Sequence, residues 1–376
     1  MQQSDNIRVI LSGGGTGGHI FPAVAIANAI KSVAPNATFL FVGAKGRMEM
    51  EKVPAAGYPI QGLWISGLQR RLTTDNLMFP FKVVSSLYNA YKIIKSFKPD
   101  VVVGTGGYAS GPTLRVASWL GIPTLIQEQN SFPGITNKML AAKADKICVA
   151  YEGMEKYFPA NKILLTGNPV RNDIEHNHNS QSEALQHFNL NTDKTTVLIV
   201  GGSLGARTIN QSIAAGLSQF AEANIQIIWQ TGKLYETEAT ATVSEYKEKG
   251  IISMPFIKEM DKAYSAADVV VSRAGAIAIS ELCISGKPSI LVPSPNVAED
   301  HQTKNALALS SREAAILVKD SEAFEKLVGT AIALAENKNE QNKLGTNIST
   351  MAMQNSAAII AGQVFALAKF KSNKVL

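Results

Sequence analysis

The chain has 376 residues, of which 45% are hydrophobic and 18% are charged, which is typical of a globular protein with a sizeable core and room for two domains. No apolar run reaches the roughly 18–20 residues that span a bilayer, and the polar first six residues do not resemble a secretion signal. Cys148 and Cys283 are far apart and have no metal-ligand spacing, so we expect a reducing, cytoplasmic compartment.

The net charge of +6 is concentrated in the first half of the chain. Residues 1–168 hold 17 Lys and Arg against 9 Asp and Glu, a net charge of +8, and the remainder holds 19 against 21, a net charge of −2. A basic first half favours an anionic partner such as a membrane surface, a nucleic acid or a phosphorylated substrate. An ordinary solvated basic face explains the charge equally well.

Short apolar segments alternate with helical stretches along the whole chain. In the first half the pattern predicts strands at Val9–Leu11, Thr38–Val42, Val101–Val103, Thr124–Gln127 and Lys146–Val149, and helices at Pro22–Ser32 and Gly134–Ala142. In the second half it predicts strands at Val197–Val200, Ile225–Gln230, Val269–Val271 and Ser289–Val292. This alternation is typical of buried parallel sheets covered by helices, so we predict an α/β protein with two doubly wound, Rossmann-like domains.

The domain boundaries follow from composition. We predict a first domain over residues 1–167, a hinge and linker over 168–194, a second domain over 195–354, and a helix that packs back on the body, followed by a tail, over 355–376. The linker segment contains His176, His178 and His187 among Asn, Ser and Gln residues, which favours a solvated loop over a metal site.

Two glycine-rich turns each follow a predicted strand and lead into a helix. They are Ser12–His19 and Gly201–Arg207. Such a turn presents free backbone N–H groups and the positive end of a helix dipole to a phosphate. The first turn formally matches a dinucleotide motif, but no acid ends the next strand and no Walker lysine follows either turn, which argues against NAD binding and a P-loop ATPase.

Three polar residues near these turns are candidate functional groups. His19 ends the first turn, where an imidazole can accept a proton from a hydroxyl or simply bond loop carbonyls. Glu281 lies near a predicted helix start and fits either the ribose hydroxyls of a nucleotide or a solvated helix surface. Arg171 lies at the predicted hinge and fits either a diphosphate or a surface salt bridge.

The segment from Trp64 to Lys98 mixes apolar side chains with Arg and Lys. It fits a contact with an anionic lipid surface, and equally a core-packed helix with a basic outer face. The candidate membrane residues are Arg70, Arg71, Leu77, Phe79, Phe81 and Lys82.

Several motifs occur in an order that resembles the MurG family of peptidoglycan glycosyltransferases. They are Gly14–Pro22, Gly104–Pro112, Gln127–Asn130, Gly167–Arg171, Gly201–Arg207 and Arg273–Ala276. Members of that family move N-acetylglucosamine from UDP onto undecaprenyl-diphosphoryl-N-acetylmuramoyl-pentapeptide. The resemblance implies a GT-B architecture, in which two Rossmann-like domains face each other across a deep cleft.

The resemblance also implies site residues. Ile257 would meet uracil through its backbone, Glu281 the ribose, and Ser203 with Arg171 the diphosphate, while Gln302 and Asn130 would address the sugar. The full implied donor set is Thr16, Gly17, Gly18, Asn130, Arg171, Ser203, Ile257, Ala276, Ile277, Ala278, Ile279, Ser280, Glu281 and Gln302. The implied acceptor diphosphate set is Gly14, Gly15, Gly104, Gly106, Gly107 and Tyr108.

The implied reaction is one inverting displacement, with His19 as the first candidate base and Glu128 as the second. We expect no metal or other cofactor, because turn N–H groups and Arg171 can stabilise the leaving diphosphate. The expected location is the cytoplasmic face of the cell membrane, with cell-wall synthesis and division proteins as further candidate partners and no nucleic acid. Leu204, Ala278 and His301 depart from the family pattern at donor contacts. A different lipid acceptor, or a scaffold that binds UDP-sugar without turnover, are the alternatives.

Overall fold

The structure is a computed structural model that describes residues 7–67, 78–202, 205–297 and 300–372. The chain divides into two compact units. Unit 1 comprises the residues up to Val170 together with those from Asn355 onward, and unit 2 comprises Arg171–Gln354.

Unit 1 is built on a parallel sheet. Its strands are β1 (Arg8–Gly13), β2 (Thr38–Ala44), β3 (Ile60–Leu63), β4 (Val101–Gly106), β5 (Thr124–Glu128), β6 (Lys146–Val149) and β7 (Ile163–Leu165), and their order across the sheet is β3-β2-β1-β4-β5-β6-β7. The helices that connect them are α1 (Gly17–Val33), α2 (Glu49–Ala55), α3 (Phe79–Phe97), α4 (Ser110–Trp119) and α5 (Ile135–Ala141).

The centre of strand β1, Val9–Leu11, is a continuous apolar run because helices cover both faces of its sheet. Val9 and Leu11 pack on one face with the buried residues of α1, whereas Ile10 packs on the other face with Ile94 of α3 and Leu114 of α4. Successive side chains of a strand point to opposite faces, so a continuous apolar run marks a strand that is buried on both sides.

Unit 2 repeats this architecture. Its strands are β8 (Thr196–Val200), β9 (Gln226–Gln230), β10 (Ile251–Met254), β11 (Val269–Ser272), β12 (Ser289–Leu291) and β13 (Ile316–Leu317), in the order β10-β9-β8-β11-β12-β13. Its helices are α6 (Asn172–Glu175), α7 (Gln181–His187), α8 (Arg207–Ala215), α9 (Leu217–Glu222), α10 (Glu236–Val243), α11 (Met260–Ala266), α12 (Ala276–Ser285), α13 (His301–Ser310), α14 (Ala323–Glu336) and α15 (Lys338–Ser349).

Both sheets are doubly wound, as predicted. The strand order reverses between β1 and β4 in unit 1, and between β8 and β11 in unit 2. In sheets of this kind, ligands bind outside the carboxyl ends of the strands at the point of reversal. Both glycine-rich turns, which follow β1 and β8, lie at these points.

The predicted linker over residues 168–194 is wrong. Residues 168–170 belong to unit 1, and α6 and α7 pack into the core of unit 2 through Ile174, Leu185 and their neighbours. Ser180 starts α7 with a capping box to Glu183. The segment contains many Asn, Ser and Gln residues and only a few apolar side chains, which are buried. Its composition therefore resembles that of a loop.

The last helix, α16 (Ser356–Ser372), returns the chain to unit 1. Ile360, Ala361 and Val364 are buried in the same apolar cluster as Ile26 and Ile30 of α1. Among the described helices, none is both long enough and apolar enough to cross a membrane.

The packing of α16 gives a stability prediction. Ile360→Ala should lower the free energy of unfolding of unit 1 by about 2–5 kcal/mol, because it opens a cavity at a fully buried position. The adjacent Ile359 is 40% exposed, so Ile359→Ala is the matched control and should change stability by less than about 0.5 kcal/mol. Urea unfolding of both variants measures the difference, and equal effects would show that α16 does not belong to the core.

Candidate active site

The first glycine-rich turn is held in place by a buried carboxylate. Glu49 is fully buried at the start of α2, and its Oε2 accepts the N–H of Gly15 at 2.9 Å while its Oε1 accepts the N–H of Ala44 at 2.9 Å. These bonds join the turn to the end of β2. No acid ends β2 itself. Glu49 reaches the turn from the following helix and was not predicted.

In unit 1, the glycine-rich turn after β1 packs directly against a second glycine turn, Gly104–Gly107, at the end of β4. A side chain on Gly107 would collide with the backbone of Gly14, and a side chain on Gly106 would come within 2.9 Å of the ring of His19. Gly106 also has a φ of +102°, which favours glycine. The structure therefore brings together the implied acceptor residues of both turns, and Tyr108 is exposed beside them with its ring against Gly67.

His19 lies in the first turn of α1 and is fixed at two places. Its ring Nδ1 is 2.9 Å from Oε1 of Gln129, and its main-chain carbonyl accepts the hydroxyl of Thr105 at 2.7 Å. The ring is only partly buried. An imidazole in this position is oriented by the protein and still open to solvent or a ligand.

Glu128, the second candidate base, is buried and engaged by its own loop. Its Oε1 accepts the main-chain and side-chain N–H groups of Asn130 at 3.0 and 3.2 Å. Its Oε2 accepts the N–H of Gly134 at 3.1 Å and the amide of Asn137 at 2.8 Å. These four bonds hold the segment that leads into α5, and they favour a positioning role for Glu128 over proton transfer.

The corresponding turn of unit 2 leads from β8 into α8. Gly205 has a φ of +81°, and a side chain there would collide with the carbonyl oxygen of Thr231. A cavity of about 480 Å³ lies beside the turn. Its lining includes Gly202, Thr208, Gly275, Ala278 and Gln302. Ser203 and Leu204 lie outside the described residues.

Arg273 braces the wall of this cavity. Its guanidinium donates to the carbonyl oxygens of Val292 and Pro293 at 3.1 Å and forms an ion pair with Asp320. Asp320 also accepts the hydroxyl of Thr208, from the first turn of α8, at 3.0 Å. The network connects the helix after β8 to the ends of β11 and β12. Arg273 was identified from the sequence only as part of a motif. Its partners are distant in the chain and were not predicted.

Glu281 occupies a buried site beside an arginine and a tyrosine. Its Oε1 is 3.3 Å from Nε of Arg171, and its Oε2 accepts the hydroxyl of Tyr264 at 3.1 Å. Burial raises the pKa of Glu281 above its usual range, although Arg171 and the Tyr264 hydroxyl oppose the shift. Burial and the adjacent carboxylate raise the pKa of Tyr264 well above its ordinary value, so its hydroxyl remains a donor.

Glu281 and Arg171 are therefore paired with each other in this structure, although the sequence analysis assigned them to different parts of a nucleotide. Tyr264, which holds the second carboxylate oxygen, was not predicted. It lies on α11, and no local pattern connects it to Glu281.

The other implied donor residues are divided between the units. Thr16, Gly17, Gly18 and Asn130 belong to unit 1, and the remaining described ones belong to unit 2. Ala276–Ser280 form the start of α12, where the Ile279 side chain packs in the core and Ile277 is partly buried. The N–H of Ile257 is donated to Oε1 of Gln230 at 2.9 Å, and Oε1 of Gln302 accepts the N–H of Ser294 at 2.9 Å.

The candidate membrane residues lie at and before α3. Phe81 is 65% exposed, Phe79 is partly buried, and Lys82 donates to the hydroxyl of Ser66 at 3.1 Å. Arg70, Arg71 and Leu77 lie outside the described residues. For the part of the chain that the structure describes, no group of three His, Cys, Asp or Glu side chains is arranged to hold a metal ion.

Two doubly wound parallel sheets, each with a phosphate-type turn at its point of reversal, are the architecture of the GT-B fold, and the family matches that follow define the class as a glycosyltransferase. Residues 9–149 match the glycosyltransferase family 28 N-terminal domain, and residues 196–360 match the glycosyltransferase family 28 C-terminal domain. The chain belongs to glycosyltransferase family 28, and within it to the MurG family.

Relatives match over nearly the whole chain. A protein of Phocaeicola vulgatus, named UDP-N-acetylglucosamine–N-acetylmuramyl-(pentapeptide) pyrophosphoryl-undecaprenol N-acetylglucosamine transferase, is 56% identical over 365 residues, which cover 97% of each chain. A Bacteroides fragilis protein of the same name is 55% identical over 369 residues, covering 98% of this chain and 97% of its own. The crystal structure of Acinetobacter baumannii MurG superposes with a TM-score of 0.78 at 28% identity, covering 96% of this chain and 99% of that one.

The buried carboxylate of unit 2 gives a pH prediction. Because the pKa of Glu281 is raised on folding from its ordinary value near 4.5, the free energy of unfolding of the wild type falls as the pH rises through the raised pKa. Glu281→Gln removes this loss, so the stability of the variant relative to the wild type should increase as the pH rises above the ordinary value of 4.5, as measured by urea unfolding.

The matched control for this prediction is Glu322→Gln. Hydrogen bonds from Lys326 and Lys319 lower the pKa of Glu322, which is an exposed side chain. Its variant should therefore lose stability relative to the wild type as the pH rises, which is the opposite sign. A stability difference for Glu281→Gln that does not depend on pH would contradict the raised pKa.

Proposed function

We propose that this protein transfers N-acetylglucosamine from UDP-N-acetylglucosamine to the muramoyl 4-hydroxyl of undecaprenyl-diphosphoryl-N-acetylmuramoyl-pentapeptide, which converts lipid I to lipid II in peptidoglycan synthesis. The observation that carries the proposal is the 51–56% identity, across both units, with relatives named for this reaction. The phosphate-type turns and the buried carboxylate of unit 2 fit the same chemistry.

The donor would be held by unit 2. The N-terminus of α8 and the glycine turn before it suit a diphosphate, and Arg171 adds a positive charge. Glu281 can accept the ribose hydroxyls, since each of its oxygens bonds a single side chain in this structure. The main-chain N–H of Ile257 is already bonded to Gln230. The main-chain carbonyl of Ile257 would therefore be the group that binds uracil. Gln302, at the edge of the cavity, would address the sugar.

The reaction is a single inverting displacement. The muramoyl 4-oxygen forms a bond to the anomeric carbon of N-acetylglucosamine, and the bond from that carbon to the diphosphate oxygen breaks, so UDP leaves with the electron pair. His19 accepts the proton of the attacking hydroxyl. Glu128 organises the loop beside it, because its oxygens are occupied by four N–H donors.

We also propose that the reaction requires no metal ion. Charge that develops on the leaving diphosphate would be stabilised by N–H groups at the start of α8 and by the guanidinium of Arg171. The bracing of Thr208 by Asp320 and Arg273 supports this role, because it holds the first turn of α8 in a fixed orientation before any ligand binds.

The direct test is the reaction itself. Purified protein is mixed with UDP-N-acetylglucosamine and a short-chain analogue of the lipid-linked acceptor in the presence of EDTA, and UDP release and disaccharide are measured. We expect disaccharide. Product with a diacylglycerol acceptor instead would indicate another lipid substrate, and UDP-sugar binding without product would indicate a scaffold. Product that appears only after magnesium is added would contradict metal independence.

The role of His19 gives a kinetic prediction. His19→Ala should lower kcat by about 100- to 10,000-fold, since a general base contributes that much to a proton transfer. The KM for UDP-N-acetylglucosamine should change little, because the nucleotide contacts belong to unit 2. His187→Ala removes a surface histidine that pairs with Lys262 and is the control. An unchanged kcat in His19→Ala would exclude His19 as the base.

We propose that the protein binds the cytoplasmic face of the cell membrane peripherally through the outer side of α3. This side exposes Phe81, Val84, Tyr88 and Tyr91, and the ammonium groups of Lys92 and Lys95 lie over the two tyrosine rings at 4.5 and 5.8 Å. On the same face of the sheet, α4 exposes Trp119 and α5 exposes Ile135 and Met139. Apolar side chains flanked by lysines suit an anionic lipid surface.

The membrane proposal can be tested with vesicles that contain anionic phospholipid. The double variant Phe81→Ser, Val84→Ser removes two side chains that are 65% and 68% exposed, so it should bind the vesicles at least about 10-fold more weakly in sedimentation assays. The matched control is the double variant Leu234→Ser, Phe324→Ser in unit 2, where the exposure is 91% and 65%. Equal losses in both double variants would contradict a specific surface on α3.

A further inference from the structure

The contact between His19 and Gln129 decides which ring nitrogen of His19 carries the proton. Nδ1 lies 2.9 Å from Oε1 of Gln129, whereas Nε2 has no hydrogen-bond partner among the described residues. A neutral imidazole has one N–H and one nitrogen with a lone pair. If the amide oxygen of Gln129 faces Nδ1, that nitrogen must be the one that carries hydrogen.

The orientation of the Gln129 amide is fixed by its other neighbours. Its Nε2 donates to the carbonyl oxygens of Thr105 and Gln127 at 2.8 and 3.0 Å, and it also bonds the side-chain oxygen of Gln127. All three neighbours are oxygen acceptors. The reversed amide would place its oxygen against these three oxygens with no hydrogen between them, so Oε1 must face His19.

The orientations of the side-chain amides of Asn168 and Gln127 follow from a single main-chain carbonyl group. The side-chain amide of Asn168 donates to the main-chain carbonyl of Gln129 at 3.0 Å, and its Oδ1 accepts the amide of Gln127 at 2.9 Å. A carbonyl can only accept, so it orients Asn168, which orients Gln127, which in turn orients Gln129. All three side chains are buried, so water does not compete for these bonds.

We infer that Asn168, Gln127 and Gln129 form a directional amide relay that keeps Nε2 of His19 free of hydrogen. The inference rests on the proposed function, in which His19 is the base. Nε2 accepts the proton of the acceptor hydroxyl and gives an imidazolium whose Nδ1–H stays bonded to Gln129. Gly106, which lies directly against the ring, limits its rotation. The three amides are positioning residues.

The test measures the tautomer directly and does not depend on activity. Protein labelled with ¹⁵N-histidine is examined by long-range ¹H–¹⁵N NMR at a pH at which the imidazole ring is neutral, and His19 is assigned with His19→Gln. We expect the N–H at Nδ1 and the lone pair at Nε2. Gln129→Met should lose this fixed tautomer and lower kcat at least about 10-fold, while the KM for UDP-N-acetylglucosamine stays within about two-fold.

A further variant separates the relay from a merely structural effect. Gln226→Met removes a buried glutamine of unit 2 and should preserve both the His19 tautomer and kcat.

The outcomes distinguish the inference from the proposed function. Hydrogen on Nε2 in the wild type overturns the relay whatever the activity is, and so does a Gln129→Met protein that retains the Nδ1–H tautomer. If the tautomer behaves as expected but His19→Ala has normal turnover, the relay is supported and the base assignment is wrong.

Discussion

Two buried carboxylates hold the loops at the carboxyl ends of the strands in unit 1, and the arrangement of that site depends on them. A buried charge is costly unless hydrogen bonds satisfy it, so each carboxylate fixes the groups around it. Glu49 joins the first turn to β2, and Glu128 orders the segment before α5. Both accept main-chain N–H groups, which suits a permanent structural role.

Glu281 differs from these two residues in a way that suits ligand binding. Its donors are the side chains of Tyr264 and Arg171, and among the described residues no main-chain N–H group is bonded to it. A side chain such as Arg171, which is more than one-third exposed, can move without unfolding any backbone. In the proposed function, the carboxylate would exchange its arginine for ribose hydroxyls, and the guanidinium would then bind the diphosphate. Burial raises the pKa of Glu281, so the charged carboxylate needs hydrogen-bond donors from either the protein or the ligand.

Much of the fold could be predicted from the sequence, because buried parallel strands appear as apolar runs and the glycine turns mark their carboxyl ends. Strands β1 and β4 extend beyond the predicted ends at Leu11 and Val103, to Gly13 and Gly106, because small turn residues continue the hydrogen-bonded ladder. Strands β3, β7, β10 and β13 were not predicted, because they are only two to four residues long. The segment after Arg171 was misread as a linker, since its helices are short and the burial of Ile174 and Leu185 depends on tertiary contacts.

The site was only partly accessible to sequence reasoning. His19 and Glu281 stand next to recognisable turns, so their positions suggested a function. Tyr264, Asp320 and Gln129 each contact residues that are distant in the chain, and periodicity carries no signal for such contacts. The role of Glu128 could be judged only by following the bonds at each oxygen. Local sequence patterns therefore predicted the turns, whereas the side chains that orient them were identified only in the three-dimensional structure.

The central claim is that the nucleotide is recognised through Glu281 in unit 2. Isothermal titration calorimetry with UDP and with 2′,3′-dideoxy-UDP tests it most directly, because the two ligands differ only in the ribose hydroxyls. Hydrogen bonds to a charged group contribute about 1.5–3 kcal/mol, so the dideoxy ligand should bind about 10- to 150-fold more weakly. Equal affinities for the two ligands would contradict the account.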